Sequence, residues 1–415
     1  MTPTRSSTWK WTVCGLFLLA SAINYMDRQT LANASVRIST EFHLNQEQYG
    51  NLELGFGWAF AAGSIVFGLI ADRFPVRIVY PTALFLWSMA GFLTGLAHNY
   101  KELMICRTLL GLFEAGHWPC AVKAIQGLLE PKDRAMGNSV LQSGTSVGAV
   151  ITPLILALLL TPEISSWRFA FQAVGCAGLL WIGLWFTLVK RGDLSEDKAQ
   201  ARDSNVLTAL KEILSNRRMW IVIIVIALIN TNWQIIRAWL PRILIQGRGY
   251  SESQALYFNS LFYIATDVGC IGAGALTLWW HKRGASVDTS RRLAFLSCAL
   301  LSALSLGAAW MPKGPLLLTF LLLIGAGALG VFPIYHAFTQ DISRHHQGKV
   351  TGIAGVAAWA LSPAHTYFGR LVDRTGSFDL GFALVGILPL IAFTVLWLSW
   401  PPTSSNSAHE EIVQH

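Results

Sequence analysis

The stretch Gly111-Leu-Phe-Glu-Ala-Gly116-His-Trp-Pro119 returns in the second half of the chain as Gly325-Ala-Gly-Ala-Leu-Gly330-Val-Phe-Pro333. Gly, Gly and Pro keep identical spacing, and Arg134-Ala-Met-Gly137 aligns downstream with Lys349-Val-Thr-Gly352 after a one-residue slip. Glycine is common in membrane helices, but the shared spacing favours an internal repeat over chance. The sequence therefore predicts two related halves, in which the fourth apolar segment matches the tenth and the fifth matches the eleventh.

Long apolar segments run through the whole chain. Of its 415 residues, 53% are hydrophobic and 13% are charged, and the mean hydropathy is +0.46, whereas a soluble protein carries about 25% charged residues. Because about 20 apolar residues cross a bilayer, we identify twelve spans: 11–34, 49–71, 76–97, 101–125, 134–158, 167–189, 219–241, 255–280, 291–310, 315–338, 347–370 and 378–399. The predicted fold class is an all-α membrane protein with twelve transmembrane helices in two pseudo-symmetric six-helix bundles.

A linker of mixed charge, residues 190–218, divides the spans six and six, and every other connection is short. The predicted organisation is a cytoplasmic N-terminal tail (1–10), an N-terminal six-helix bundle (11–189), the cytoplasmic linker (190–218), a C-terminal six-helix bundle (219–399) and a cytoplasmic C-terminal tail (400–415).

The basic residues indicate how the chain is oriented. A net charge of +8 could suggest a nucleic-acid partner. With both termini in the cytoplasm, however, most Lys and Arg residues fall in cytoplasmic connections, as the positive-inside rule requires. We therefore predict a multi-pass protein of a bacterial inner membrane, embedded in the lipid bilayer, with no nucleic-acid partner.

Two of the apolar segments carry an acid together with an arginine: Asp27 and Arg28 in the first, and Arg107 and Glu114 in the fourth. Charge at bilayer depth is costly and usually marks a substrate or proton pathway. An arginine can hold a substrate carboxylate through its fork of donors. Burial and a nearby guanidinium shift the pKa of an acid in opposite directions, so an acid beside the arginine can exchange a proton. We predict proton coupling by Asp27 and Glu114 and anion binding by Arg28 and Arg107; the alternative is a structural ion-pair network in the first bundle.

The connection after the second segment, Gly68-Leu-Ile-Ala-Asp72-Arg73-Phe-Pro-Val-Arg77, carries acid and base on a short loop. Such a loop can bridge two bundles in one conformation and release them in another, and Gly68 permits close helix contact. We predict a gating role for Gly68, Asp72, Arg73 and Arg77. A positive-inside anchor is the alternative, although it accounts only for the arginines.

The seventh segment is unusually polar at Asn230-Thr-Asn-Trp233-Gln234-Ile-Ile-Arg237. Amides beside an aromatic plane suit a hydroxylated ring, so we predict that Asn230, Trp233 and Gln234 bind substrate. Arg237 either provides a second anchor for a carboxylate or snorkels to the outer surface. Further candidates for the substrate cavity are Gln142, Thr145, Trp359 and Ser362.

Two polar residues keep open roles. Asp267, near the middle of the eighth segment, either couples protons or pairs with a neighbouring helix. His117 is more typical of a hydrogen-bonding group between helices than of a metal ligand. Neither histidines nor cysteines show ligand spacing, so we expect no metal and no cofactor, the proton being the coupling ion. Motifs of nucleophilic or phosphate chemistry are lacking, so we do not expect an enzyme.

These motifs carry a family resemblance. Gly68–Arg77 resembles the loop signature of the major facilitator superfamily between its second and third helices, with Pro75 where a glycine is usual. Tyr25–Arg28 and Arg107–Pro119 resemble the anion:cation symporter family, and Ala238-Trp-Leu-Pro241 is similar to its hexuronate transporter branch. The resemblance covers nearly the whole chain.

The resemblance implies alternating access between two bundles and proton-coupled import of a sugar acid, with a hexuronate such as glucuronate or galacturonate as first expectation. It implies that Asp27 and Glu114 carry protons and that Arg28 and Arg107 bind or gate the anion. Alternatives are a carrier of an aldonate such as galactonate or of a small carboxylate, then an efflux antiporter, then a sensor without transport. We expect a monomer that acts on a small anionic substrate.

Overall fold

The structure is a computed structural model that describes residues 6–130, 133–194, 206–340, 342 and 347–400. Within these residues it is helical and contains no strand. The helices are α1 (Ser7–Phe42), α2 (Gln46–Arg73), α3 (Val76–Thr94), α4 (Tyr100–Glu114), α5 (His117–Leu128), α6 (Arg134–Leu159), α7 (Trp167–Leu188), α8 (Val206–Ser215), α9 (Arg217–Arg242), α10 (Glu252–Lys282), α11 (Val287–Ala303), α12 (Ser305–Ala308), α13 (Pro315–Gln340), α14 (Gln347–Ala360), α15 (Pro363–Thr375) and α16 (Asp379–Ser399). The 3₁₀ turn Ile164–Ser166 precedes α7, and the π-helical turn Ile243–Gly247 extends α9.

Nine of the described helices are long and apolar enough to cross a membrane. The 36-residue α1 adds a tenth rod. Two further rods are each made of two helices, α4 with α5 and α14 with α15, which are separated by two residues in either case. Six rods precede α8 and six follow it, as the predicted fold class requires.

Two helices begin earlier in the chain than predicted, each just after a capping residue. Ser6 accepts a hydrogen bond from the backbone amide of Trp9, so α1 begins at Ser7, inside the predicted tail 1–10. Asn216 accepts from the amide of Arg218, so α9 begins inside the predicted linker 190–218. That linker also contains α8, which its mixed charge did not predict. Residues 195–205 of the linker and the predicted tail from residue 401 onward lie outside the described part of the chain.

The glycines of the repeat pack in equivalent places in the two halves. A Cβ atom on Gly111 would lie 2.4 Å from a backbone oxygen of α2, and one on Gly325 would lie 2.4 Å from an aromatic ring of α10. Gly116 and Gly330 likewise approach α2 and α10. Since α2 and α10 are the second rods of their halves, this packing is what the predicted repeat requires.

The two halves touch firmly at one end of the molecule. They meet where α1 contacts α9, α2 contacts α14 and α15, and α6 contacts α10. Near the C-terminus of α1, Arg37 donates to Glu252 of α10 at 2.6 Å. The carboxylate of Asp373 in α15 accepts from the backbone amides of Gln46 (3.0 Å) and Glu47 (2.8 Å), at the start of α2. We call this the closed end.

The halves stand apart at the opposite end. Gly50 and Gly57 lie on the face of α2 that meets the rod of α14 and α15, and a Cβ atom on either would come within 2.3 Å of that rod. Gly68 follows on the same face of α2, yet a Cβ atom there would meet no atom of the described residues within 4 Å. Gly352 and Gly355 of α14 are equally uncrowded. A cleft between the halves therefore widens away from the closed end.

Candidate functional site

The centre of the first half holds a buried ion pair. The Nε atom of Arg28, in α1, donates to Oε2 of Glu114 at 2.7 Å, and the two side chains are 8% and 0% exposed. Glu114 is the last residue of α4, immediately before the interruption that leads to α5. The structure thus brings together the predicted anion-binding arginine and one predicted proton carrier, away from the lipid.

Four aromatic rings surround the guanidinium of Arg28. Its Cζ atom lies 4.8 Å from the ring centroid of Phe60, 5.3 Å from Phe56, 5.7 Å from Tyr25 and 5.9 Å from Trp359. We call these four rings the aromatic collar. Cation–π attraction strengthens as water is excluded, so the collar holds the arginine in place while its outer donors can still meet a ligand.

A second cluster centres on Glu53 of α2, which the sequence analysis did not identify. Its Oε1 accepts from Nη2 of Arg107 at 3.0 Å, and its Oε2 accepts from Nη2 of Arg237 at 2.8 Å. Glu53 is fully buried, and the two arginines are 2% and 1% exposed. Arg237 also donates to Gln234 at 2.9 Å. Glu53 therefore joins an arginine of each half, and Arg237 does not snorkel to the surface.

Buried guanidinium donors remain free in this site. Among the residues that the structure describes, Nη2 of Arg28, Nη1 of Arg107 and Nη1 of Arg237 have no hydrogen-bond partner, nor does Oε1 of Glu114. Buried polar groups are normally satisfied, and an exception calls for a water or a ligand. Three arginines with spare donors are suited to the oxygen atoms of an organic anion.

Asp27 makes no hydrogen bond to either cluster among the described residues. It is fully buried, and neither carboxyl oxygen has a hydrogen-bond partner among the described residues. A Cβ atom on Gly91 of α3 would lie 2.6 Å from Oδ1 of Asp27, so the carboxyl group packs against α3. The neighbours Asp27 and Arg28 therefore face different surroundings, as their positions around one helix require.

The predicted binding residues of the second half are all buried. Asn230 donates to the carbonyl oxygen of Ile226 in its own helix at 3.0 Å. The Trp233 ring packs beside Phe262 and Tyr263, with centroids 6.4 and 6.0 Å apart. A small cavity gathers three of the predicted binding residues with their neighbours; it is lined by Thr231, Gln234, Ala358, Trp359, Leu361, Ser362 and His365. Gln142 is exposed on α6, where its amide donates to Thr145 at 3.3 Å.

The two residues with open roles both connect helices. His117 hydrogen-bonds with Ser21 of α1 at 2.9 Å and with Tyr80 of α3 at 3.0 Å, which agrees with the expected helix–helix role. Asp267 of α10 accepts from Ser146 of α6 at 2.8 Å and so links the two halves. Pairing with a neighbouring helix is therefore present at Asp267, while its part in proton coupling stays a prediction.

The predicted gating residues lie at the wide end of the cleft. The side chain of Asp72 falls outside the described part of the structure, Arg73 is exposed, and Gly68 faces the cleft. Arg77 donates to the carbonyl oxygen of Val189 at 2.9 Å and lies over the ring of Phe186. In this arrangement Arg77 ties α3 to α7 within the first half, and its gating role stays a prediction.

Comparison with known proteins places the chain in a family. Residues 17–366 match the model of the Major Facilitator Superfamily. A hexuronate transporter of Escherichia coli (strain K12) is 25% identical over 406 residues, which cover 94% of this chain and 93% of that protein. A probable L-galactonate transporter of the same strain is 25% identical over 405 residues, 92% of this chain and 87% of that protein.

A solved structure shares the fold. It is a bacterial homolog to the human lysosomal transporter Spinster in an inward-facing and occupied conformation, with a TM-score of 0.78 at 16% identity, covering 96% of this chain and 100% of the other. Fold, sequence and buried charged centre agree: the chain is a multi-pass membrane transporter and belongs to the Major Facilitator Superfamily.

Proposed function

We propose that the protein is a proton-coupled symporter that imports a sugar acid, with a hexuronate as the first candidate, by alternating access of its central site. The names of two relatives support the substrate class: one is a hexuronate transporter and the other a probable L-galactonate transporter. The observation that carries the proposal is the buried pair of Arg28 and Glu114, whose guanidinium keeps a free donor beside an otherwise aromatic wall.

Competition for one guanidinium couples the anion to the proton. In this structure Glu114 holds Nε of Arg28, so a carboxylate that binds the Nε and Nη2 edge of the guanidinium must replace it. Leaving a displaced, ionised Glu114 buried without a partner is costly. A proton on Glu114 removes that cost, so anion and proton bind together.

Asp27 is the second proton carrier in this scheme. A buried carboxylate without a partner is far less stable than the neutral acid, so we assign a proton to Asp27 in the conformation described here. Its carboxyl group packs against α3 near Gly91 and has no hydrogen-bond partner among the described residues, so in this scheme it exchanges its proton without holding the substrate.

The remaining groups suit a polyhydroxylated molecule. Gln234 and Ser362 offer an amide and a hydroxyl beside the Trp359 ring in one cavity, and sugar hydroxyls bind such groups. With both termini in the cytoplasm, the closed end is the outer one, and the cleft opens inward, toward the side where imported substrate is released.

Transport in proteoliposomes tests the proposal. Counterflow of radiolabelled glucuronate, galacturonate and galactonate identifies the substrate class; if none exchanges, the class is wrong. Glu114→Gln replaces the carboxyl group that binds the proton with a neutral amide of similar size. We expect it to abolish uptake driven by a proton gradient, whereas substrate exchange survives.

A matched control is Glu102→Gln, an exposed acid on the same helix that contacts only the nearby loop. It should leave gradient-driven uptake intact. Undiminished uphill uptake by the Glu114→Gln protein would refute the role given to Glu114.

A further inference from the structure

We infer that Glu53 sets the charge of the substrate: it supplies a built-in carboxylate to Arg107 and Arg237, so the site prefers monocarboxylates to dicarboxylates. The inference rests on the proposed function and deepens it, because it names the class of sugar acid. Uronates and aldonates carry one carboxylate, whereas aldarates carry one at each end of the carbon chain.

Glu53 is fully occupied by its two arginine partners. Both carboxyl oxygens are used, one on Nη2 of Arg107 (3.0 Å) and one on Nη2 of Arg237 (2.8 Å), and the side chain has no exposure to solvent. Two guanidiniums thus share one fixed anion that belongs to the protein. Arg28 differs from them because its partner Glu114 is the one proposed to accept a proton.

The two arginine clusters are close neighbours. The ring of Phe56 contacts both, with its centroid 5.3 Å from Cζ of Arg28 and 4.2 Å from Cζ of Arg107. A six-carbon acid whose first carboxylate binds Arg28 is therefore long enough to bring its far end to Arg107. There it meets Glu53, which is bonded to the same guanidinium.

The charge at that far end decides what fits. A second carboxylate there would compete with Glu53 for Arg107 and Arg237 and would lie beside its like charge in a buried site, which disfavours binding. A neutral hydroxyl or ring oxygen can instead accept from the spare Nη1 donors of Arg107 and Arg237. The geometry therefore accepts an acid at one end of the substrate and neutral oxygens at the other.

Competition in counterflow tests the inference. Exchange of radiolabelled glucuronate is inhibited with unlabelled glucuronate or with glucarate, the matching dicarboxylate, and the ratio of their half-inhibitory concentrations is measured. A shift in the balance of conformations changes both half-inhibitory concentrations by the same factor. Their ratio therefore reports only how well the site distinguishes the two acids. We expect glucarate to inhibit the natural protein at least about 10-fold more weakly than glucuronate does, since a tenfold difference in affinity requires only a modest difference in binding free energy.

Variants of Glu53 sharpen the test. Glu53→Gln should lower the ratio of the glucarate to the glucuronate half-inhibitory concentration by about 10-fold, because it frees both guanidiniums for a second carboxylate. Glu53→Asp keeps the charge and should keep the preference. Glu47→Gln removes another acid of α2, one that pairs with Arg370 of the second half outside the site, and should leave the ratio unchanged.

Two results would overturn the inference: equal inhibition by glucarate and glucuronate in the natural protein, or an unchanged ratio in Glu53→Gln. The first decides the matter even if the variant fails to fold. Failure of glucuronate and galactonate alike to exchange would instead overturn the proposed function itself.

Discussion

Replacing Asp373 by alanine should loosen the closed end by a predictable amount. Asp373 belongs to α15 of the second half, yet it caps the N-terminus of α2 in the first, accepting from the amides of Gln46 and Glu47. An N-cap acceptor is worth about 0.5–2 kcal/mol, and a negative charge at a helix N-terminus about 0.3–1 kcal/mol when exposed. The closed end should lose about 1–2 kcal/mol.

This loss acts on one conformation only. Once the halves separate at the closed end, Asp373 no longer reaches α2, so the variant destabilises the closed arrangement and leaves the separated one unchanged. Since about 1.4 kcal/mol is a factor of ten, the population separated at this end should rise about 5- to 30-fold.

A reporter at the interface between the halves measures that population. Thr366 is half-buried and donates to Asn51 across the halves at 2.7 Å, so a cysteine there reacts faster with a membrane-impermeant maleimide when the closed end separates. In a background without the six native cysteines, the labelling rate should rise by the factor given above when Asp373→Ala is added.

The control is Asp379→Ala, which removes an acid at the same end of the molecule. Asp379 pairs with Arg248 at 2.7 Å inside the second half, so its loss should leave the labelling rate nearly unchanged. Equal labelling of the Asp373→Ala protein and its parent would refute the reasoning that this cap holds the halves together.

Two further predictions concern packing. Gly369→Ala should also accelerate labelling at position 366, because its Cβ atom would lie 2.2 Å from the carbonyl oxygen of Gln46 and must push α15 from α2. Gly68→Ala should not, because its Cβ atom would meet no described atom within 4 Å. A similar effect of both substitutions would show that the crowding argument fails. His117→Phe should lower the unfolding temperature, since Ser21 and Tyr80 lose their partner, an unsatisfied group costing about 1–3 kcal/mol, while the ratio of sugar-acid inhibition stays the same. An unchanged melting temperature with altered inhibition would instead indicate that His117 belongs to the binding site.

The charged centre could be predicted because intramembrane charge is rare. Arg28 and Glu114 stand out in apolar segments, and the structure pairs them. Glu53 obeys the same rule, yet it was missed because it lies close to the start of the predicted segment 49–71, where an acid looks like an interfacial residue. The capping box of Asn45 and Gln48 starts α2 at Gln46, which carries Glu53 into the buried region.

Contacts between the halves could not be predicted from the chain alone. Glu53 and Arg237 are 184 positions apart in sequence, and neither carries a local signal of the other. The open alternatives for Arg237, anchor or surface residue, differed only in where its side chain points. The gating loop shows a similar limit, because a single sequence supports every conformation of the cycle and the structure displays one.

The aromatic collar has a consequence for how tightly an anion is held. Three of its rings, Tyr25, Phe56 and Phe60, move with Arg28 in the first half, but Trp359 comes from the second. Rocking of the halves changes the distance between Trp359 and the guanidinium, and with it the amount of water that reaches the charge. Ion pairing weakens as hydration grows, so the proposed anion should bind Arg28 tightly while all four rings enclose the guanidinium, and should dissociate once Trp359 moves away.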